Sequence, residues 1–270
     1  MVVSERISAG LSASQRDAFD RDGYLVLPDV LESDPVARLT EAVDRVWAAH
    51  RREPAGPGAA PLHLLAFVGE DRAFLELLDH PVTLPMVVDV LGWNVFMHHC
   101  HLDVHPPEPL EDDGVWRWHQ DGGPQNLDLE TDPRPRMSVK LAYFLSDCSE
   151  PGRGNFRVIP GSHLRNTLPR PGEGGTPDPP GAEPVLARAG DAVLFDRRLW
   201  HMRCRNRSAI TRKALFYSYT YRWVRARDDL EVRGDLRGLL TPVRAQLLGA
   251  GSSAIGHWMP ADEDVPLRVR

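Results

Sequence analysis

The chain changes its hydrophobic periodicity at Gly92. Before that point, apolar residues recur at helical spacing, most clearly over 36–47. Ser12 followed by Gln15 is a capping-box pattern, which predicts a short helix before this one. A further helical stretch over 71–91 contains two prolines and ends at Gly92. The first third of the chain is therefore predicted to be mostly helical.

After Gly92 the apolar residues fall in short segments rich in Val, Phe, Tyr and Trp, separated by turn residues. The composition, with 22 glycines and 24 prolines, also favours many short strands and turns. We expect strands over 93–105, 115–119, 137–145, 155–159, 185–188, 192–196, 199–204 and 213–223.

Strands in this number, without long helices between them, favour an antiparallel barrel or jelly roll. We expect one domain over 1–270, with a helical part over 1–92, a jelly-roll core over 93–223 and a C-terminal extension over 224–270. The Pro- and Gly-rich run over 169–184 is predicted to be a loop beside the barrel mouth.

Composition narrows the classes of partner. The chain has 38 acidic and 32 basic residues and a net charge of -6, which argues against nucleic acid as the main partner. No apolar run approaches the roughly 18 residues of a membrane span, and the first twenty residues lack a signal-peptide core. The three cysteines are too scattered for a disulfide framework. We therefore expect a cytoplasmic protein, with no membrane partner.

One local stretch departs from the acidic balance. Residues 197–227 contain ten Lys or Arg and no acid. Such a stretch can bind a small anion, or it can be a solvated strand edge that is kept basic against aggregation. The sequence leaves both interpretations open.

The motif Trp118-His119-Gln120-Asp121 carries the sharpest chemical pattern. Alternate residues of a strand point to one face, so His119 and Asp121 can ligate one ion together. His201, 80 residues beyond Asp121, can supply a third ligand from a neighbouring strand. Two imidazoles and one carboxylate on one side of a metal leave positions open, which suits a non-haem Fe(II) that binds an organic co-substrate and O2.

Arg212, eleven residues after His201, strengthens this hypothesis. A dicarboxylate that chelates iron through its 2-oxo acid end needs a cation for its far carboxylate, and a guanidinium can hold that group with two parallel hydrogen bonds. The alternative is a solvated surface arginine, since the surrounding stretch is rich in basic residues.

Several segments in order resemble the phytanoyl-CoA dioxygenase family of Fe(II)- and 2-oxoglutarate-dependent oxygenases. They are the opening from Leu11 to Pro28, TrpHisGlnAsp, SerValLysLeuAlaTyrPheLeuSerAsp, GlyAsnPheArgValIleProGlySerHis, and His201 followed by Asn206, Ser208 and Arg212. The resemblance covers most of the chain. It implies a double-stranded β-helix with N-terminal helices packed on the barrel.

The resemblance also implies roles for single residues. It places iron on His119, Asp121 and His201, and the far carboxylate of 2-oxoglutarate on Arg212. Position by position it adds four co-substrate contacts: Gln120, His101, Tyr143 and His63. Strict strand alternation would turn Gln120 away from the metal. Arg203 stands where the family has a small residue, so a contact from it is doubtful.

The histidine-rich cluster over 98–105 admits two interpretations. His99, His101, Asp103 and His105 alternate onto one face and could bind a second ion. We favour residues that line the co-substrate and substrate pocket, because one complete ligand set is already present.

The expected activity is the oxidation, most simply the hydroxylation, of an unactivated C–H bond in a small molecule, with release of succinate and CO2. Asp121 argues against halogenation, because a Gly or Ala there would free a position for halide. Desaturation, epimerisation and ring formation stay open, as do a non-catalytic metal-binding jelly roll and a zinc hydrolase.

The cofactors expected are Fe(II), 2-oxoglutarate as co-substrate and O2, with ascorbate as a candidate stimulant. The expected substrate is a small natural-product intermediate, in keeping with secondary metabolite biosynthesis, and the expected state is a monomer or homodimer.

Overall fold

The computed structural model describes residues 10–50, 59–109, 115–169, 178–250 and 255–269. Most of the Pro- and Gly-rich segment over 51–60 and half of the predicted loop over 169–184 lie outside these residues.

The helices of the N-terminal part form where the sequence predicts them. In the first, Ser12 Oγ accepts a hydrogen bond from the Gln15 backbone N–H at 3.2 Å, and Gln15 Oε1 accepts one from the Ser12 N–H at 3.0 Å. Gly23, at φ 80°, ends this helix and turns the chain into a strand. The α-helices are α1 (Ala13–Asp22), α2 (Ser33–His50), α3 (Arg72–Glu76), α4 (Thr83–Leu91), α5 (Gln125–Asp128), α6 (Pro242–Leu247) and α7 (Ile255–Trp258).

Nine strands form among the described residues; the first lies where no strand was predicted, and the others follow the predicted segments with three differences. The segment 115–119 forms only an isolated bridge at His119, the edge strand β2 was not predicted, and the strand expected over 185–188 is a shorter one just before it. The strands are β1 (Tyr24–Leu27), β2 (Leu62–Leu65), β3 (Val95–His105), β4 (Ser138–Phe144), β5 (Phe156–Val158), β6 (Glu183–Pro184), β7 (Ala192–Asp196), β8 (His201–Arg203) and β9 (Arg212–Tyr221).

The strands form two antiparallel sheets. The larger has the order β1-β7-β4-β9-β3-β2, and the smaller has the order β6-β5-β8. Strand neighbours that are distant in sequence, such as β3 with β9, are typical of a jelly roll. The predicted double-stranded β-helix with helices packed on it is confirmed.

Both faces of the larger sheet are buried, as the side chains of β4 show. Val139, Leu141 and Tyr143 belong to the core that the helices cover, whereas Ala142 and Phe144 belong to a second core between the two sheets. This alternation follows from the two-residue repeat of a strand. Side chains on the even-numbered face of β4 therefore point into the space between the sheets.

Among the helices that the structure describes, none combines the length and the apolar character needed to cross a bilayer.

Candidate metal centre

The three predicted iron ligands lie together. The backbones of His119 and His201 form an antiparallel bridge, with N–O distances of 3.0 and 2.9 Å. Asp121 follows two residues later, and its N–H donates to the Arg197 carbonyl at 2.8 Å. One ligand atom from each of the three side chains lies within 4.8 Å of the other two. The structure thus brings side chains 80 residues apart in sequence to one point.

Both histidines have their ring orientation set by the backbone. His119 Nδ1 lies 2.8 Å from the Arg117 carbonyl, and His201 Nδ1 lies 2.8 Å from the Leu199 carbonyl. Because a carbonyl can only accept, Nδ1 carries the hydrogen in each ring, and in the neutral form of the ring Nε2 has the lone pair. A metal-binding imidazole is held in this way.

Charges around Asp121 keep it ionised. Burial would raise the pKa of this carboxyl, but Lys140 and then His201 lower the pKa well below its usual range. Lys140 Nζ lies 2.8 Å from Asp121 Oδ2. Burial, and the nearby His119, lower the pKa of His201 to about 3. At neutral pH the site therefore offers a carboxylate and a neutral imidazole, the forms that bind a metal.

Sequence reasoning missed Lys140. The signal was a single charged residue in the middle of an otherwise apolar strand.

Arg212 is a buried cation with unused donors. Its side chain is 1% exposed, and its guanidinium carbon lies 5.8 Å from the ring centre of Phe144 and 6.0 Å from that of Phe216. Within the described residues, its Nε and Nη1 have no hydrogen-bond partner. Gly154, at φ 69°, makes room for it, because a Cβ there would lie 2.7 Å from Arg212 Cδ. A buried guanidinium with free N–H groups fits the carboxylate of a ligand.

His63 and His101 lie beside this arginine, around Asp103. His63 Nδ1 is 2.7 Å from Asp103 Oδ1, and Arg212 Nη1 is 3.9 Å from Asp103 Oδ2. The His101 ring stacks on Phe216, with a centroid distance of 4.3 Å. Both histidines that the family resemblance connects with the co-substrate thus share one pocket with Arg212.

A chain of hydrogen bonds runs along β3 into this pocket. Asp228 Oδ2 is 2.7 Å from His99 Nδ1, and His99 Nε2 is 3.2 Å from His101 Nδ1. Burial, and then Lys140, lower the pKa of His99 to about 4, so this ring is neutral at pH 7. Since the carboxylate accepts the Nδ1–H of His99, Nε2 of His99 accepts from His101. Nothing near β3 in the sequence indicated Asp228.

The histidine-rich cluster also has the donor atoms for a second metal site. His63, His101 and Asp103 also have donor atoms within 4.8 Å of one another and so could hold an ion. The guanidinium of Arg212 already provides a fixed positive charge beside Asp103. We therefore assign these residues to the lining of the pocket.

Two predicted contacts lie elsewhere. Tyr143 points to the helix-covered face of β4, where its hydroxyl is 2.6 Å from Thr83 Oγ1. The strand register thus corrects the expectation that it contacts the co-substrate. The Gln120 side-chain amide donates to the carbonyls of Arg165, at 2.9 Å, and Arg198. Gln120 turns away from the metal ligands, as strand alternation requires.

The basic stretch over 197–227 is not one anion-binding surface. Arg203 is paired with Glu108, which also settles the doubtful contact from this residue. Lys213 pairs with Asp44 at 2.7 Å. Arg212, by contrast, reaches the pocket between the sheets.

Comparison with known proteins gives the same family as the sequence resemblance. The phytanoyl-CoA dioxygenase (PhyH) family model matches residues 19–214. An ectoine dioxygenase of Sphingopyxis alaskensis is 32% identical over an alignment of 181 residues, and the match covers 63% of this chain. The matched region spans 55% of that protein, about half of its length.

Solved structures share the fold. HygX from Streptomyces hygroscopicus, with nickel, 2-oxoglutarate and hygromycin B bound, has a TM-score of 0.64 at 22% identity, covering 84% of this chain and 95% of that one. The non-haem α-ketoglutarate-dependent carbocyclase SnoK from nogalamycin biosynthesis has a TM-score of 0.56 at 19% identity, covering 78% and 84%.

Proposed function

The chain belongs to the phytanoyl-CoA dioxygenase family, a family of iron- and 2-oxoglutarate-dependent oxygenases, and from this we propose that it oxidises a C–H bond of a small molecule, most simply by hydroxylation. One observation carries the proposal. Three metal-type donor atoms and a buried arginine with free donors line the same space between the two sheets.

The residues fit the iron and the co-substrate in different ways. His119 and His201 would hold iron through Nε2, and Asp121 through a carboxylate oxygen. Arg212 would hold the far carboxylate of 2-oxoglutarate, with His63 and His101 beside it. When bound, iron supplies the activation of O2 that is coupled to decarboxylation of 2-oxoglutarate to succinate and CO2, with ascorbate as a candidate stimulant.

The protein's own contribution is the geometry of the ligands and an apolar wall beside His201. The Phe156 and Phe195 ring centres lie 5.2 and 5.3 Å from that of His201, so apolar side chains surround this ligand. The backbone carbonyls hold both imidazoles in the metal-binding tautomer before any ligand arrives. Such preorganisation reduces the cost of assembling the site.

The relatives support a small organic substrate. The proteins matched include an ectoine dioxygenase, and HygX has been seen with hygromycin B. We take a natural-product intermediate as the substrate class. The carbocyclase SnoK shares the fold, which keeps ring formation, with desaturation and epimerisation, as the alternative outcome. A metal-binding jelly roll without turnover is the rival from another class.

Coupled turnover tests this proposal. Anaerobically reconstituted protein would be mixed with Fe(II), 2-oxoglutarate and candidate cyclic amino acids or aminoglycosides, then exposed to O2, and succinate would be measured. We expect succinate release that a substrate accelerates and that His201→Ala abolishes. His50→Ala is the matched control, because His50 lies at the end of α2. Iron binding without any succinate release would refute the proposed oxidation and favour the rival, a metal-binding jelly roll without turnover.

Three further expectations accompany the function. We propose that residues 1–270 form a single catalytic domain, and that the protein is a monomer or a homodimer. All three cysteines are free, which is consistent with our expectation of a reducing cytoplasm. Gel filtration and cell fractionation test these statements.

A further inference from the structure

Lys140 is an unusual residue for its position. The sequence contains two lysines among its 32 basic residues, Lys140 and Lys213. Lys140 lies at the centre of the larger sheet, on the face of β4 that points between the sheets, and is 4% exposed. Its cross-strand neighbours are Phe195 and Ser218. An ammonium in such a place is costly unless an anion compensates it.

That anion is the carboxylate of Asp121. Lys140 Nζ lies 2.8 Å from Asp121 Oδ2. Among the described residues, no other carboxylate lies within ion-pair distance of Nζ. The lysine thus contacts one oxygen of the side chain that would bind iron, and leaves the other oxygen available.

The number of carboxylate oxygens on the metal matters for the reaction. An iron that took two imidazoles, one carboxylate oxygen and two atoms of a 2-oxo acid would keep an open position for O2. A carboxylate bound through both oxygens would fill that position.

We propose that Lys140 is a positioning residue that holds Oδ2 of Asp121, so that the carboxylate binds iron through its other oxygen only. This inference rests on the proposed function.

The choice of lysine over arginine agrees with this role. A guanidinium presents a planar fork that engages both oxygens of a carboxylate, whereas an ammonium is a compact charge that can hold one. Thirty of the 32 basic residues of the chain are arginines, yet the residue beside the proposed iron ligand is a lysine. The other lysine, Lys213, pairs with the half-exposed Asp44.

The rival role for Lys140 is to bind an anionic group of the substrate. The two roles predict different effects of substitution. A positioning lysine affects the iron site in the absence of substrate, whereas a substrate-binding lysine affects the KM for the substrate and leaves the substrate-free iron site unchanged.

The experiment uses nitric oxide in place of O2, under anaerobic conditions. Wild type, Lys140→Met, Lys140→Gln and the control Lys213→Met would be loaded with Fe(II) and 2-oxoglutarate and titrated with nitric oxide. The high-spin iron–nitrosyl signal in electron paramagnetic resonance reports the open position. Fe(II) affinity and circular dichroism would be measured on the same samples.

We expect Lys140→Met to bind Fe(II) but to bind nitric oxide about 10- to 100-fold more weakly, the range expected for one hydrogen bond between charged groups. Lys140→Gln, which keeps a donor, should recover part of this loss, and Lys213→Met should match the wild type. If Lys140→Met does not fold, Lys140→Gln against the wild type carries the test.

Equal nitric oxide binding by the wild type and both Lys140 variants would overturn the inference, and a raised substrate KM in those variants would then assign Lys140 to the substrate. That result would leave the proposed function intact. A wild type that binds neither Fe(II) nor 2-oxoglutarate would instead refute the proposed function, and the inference with it.

Discussion

Replacing Arg212 with methionine should weaken 2-oxoglutarate binding strongly and change the stability of the ligand-free protein little. In the ligand-free protein the guanidinium is buried, and among the described residues its Nε and Nη1 lack hydrogen-bond partners, although Nη1 lies 3.9 Å from Asp103 Oδ2. The substitution removes the cost of burying this charge but also removes a cation beside Asp103, which keeps its contact with His63 Nδ1, so the two effects on the free energy of unfolding should largely offset each other. For 2-oxoglutarate, the same change removes a buried ion pair whose loss costs about 3–5 kcal/mol, or about 10²- to nearly 10⁴-fold in Kd.

The assay compares two 2-oxo acids of equal length. Anaerobic titration of the Fe(II) protein would give the Kd of 2-oxoglutarate and of 2-oxopentanoate, which lacks the far carboxylate. The wild type should strongly prefer 2-oxoglutarate, and Arg212→Met should bind both acids about equally. Urea unfolding of the metal-free proteins would give the stability change.

The matched control is Arg222→Met. Arg222 is also buried, but its guanidinium donates to the carbonyls of Asp264 and Ala250 at 2.7 and 3.1 Å. Its loss should destabilise the protein without changing the preference for 2-oxoglutarate. An Arg212→Met variant that keeps this preference, or that loses stability as Arg222→Met does, would refute the reasoning.

Three further outcomes follow from the geometry. Tyr143→Phe should lose about 1 kcal/mol of stability, because the hydrogen bond to Thr83 is removed, and should bind 2-oxoglutarate as the wild type does. A large rise in the Kd of 2-oxoglutarate would instead show that Tyr143 contacts the co-substrate. Asp228→Asn should lower the unfolding free energy by about 1.5–3 kcal/mol, measured in urea, because His99 loses a charged acceptor. Burial lowers the pKa of His98 to about 3 and of His99 to about 4, so the unfolded chain binds more protons below about pH 6.5. Stability should therefore fall from pH 6.5 towards pH 4, by up to about 1.4 kcal/mol per pH unit for each ring, and constant stability across that interval would contradict this account.

Local chemistry made part of the fold predictable from sequence. The Ser12–Gln15 box and Gly23 fix both ends of α1 through contacts within a few residues. The change of period at Gly92 separates helices from strands, because each element has its own repeat. The short edge strand β2 has no such signal, since it is defined by its pairing with β3.

The residues of the candidate site could be predicted where their chemical type indicates the role. They could not be predicted where the role depends on which face of a strand the side chain occupies. The triad and Arg212 combine types that few other roles require. Tyr143 lies on the wrong face because β4 is buried on both sides, so its pattern of apolar residues does not indicate which face meets the pocket. Lys140 lies on the face of β4 that meets the pocket, and the structure shows its contact with Asp121, which the sequence does not indicate.

The bridge between His119 and His201 has a consequence for the fate of the protein in a cell. Within the described residues, the segment over 115–121 pairs with the smaller sheet through the His119–His201 bridge alone, so an ion held by both rings would link distant parts of the chain. The supply of iron would then affect the lifetime of the protein as well as its activity. Protein synthesised during iron starvation should be degraded by proteases faster than iron-loaded protein.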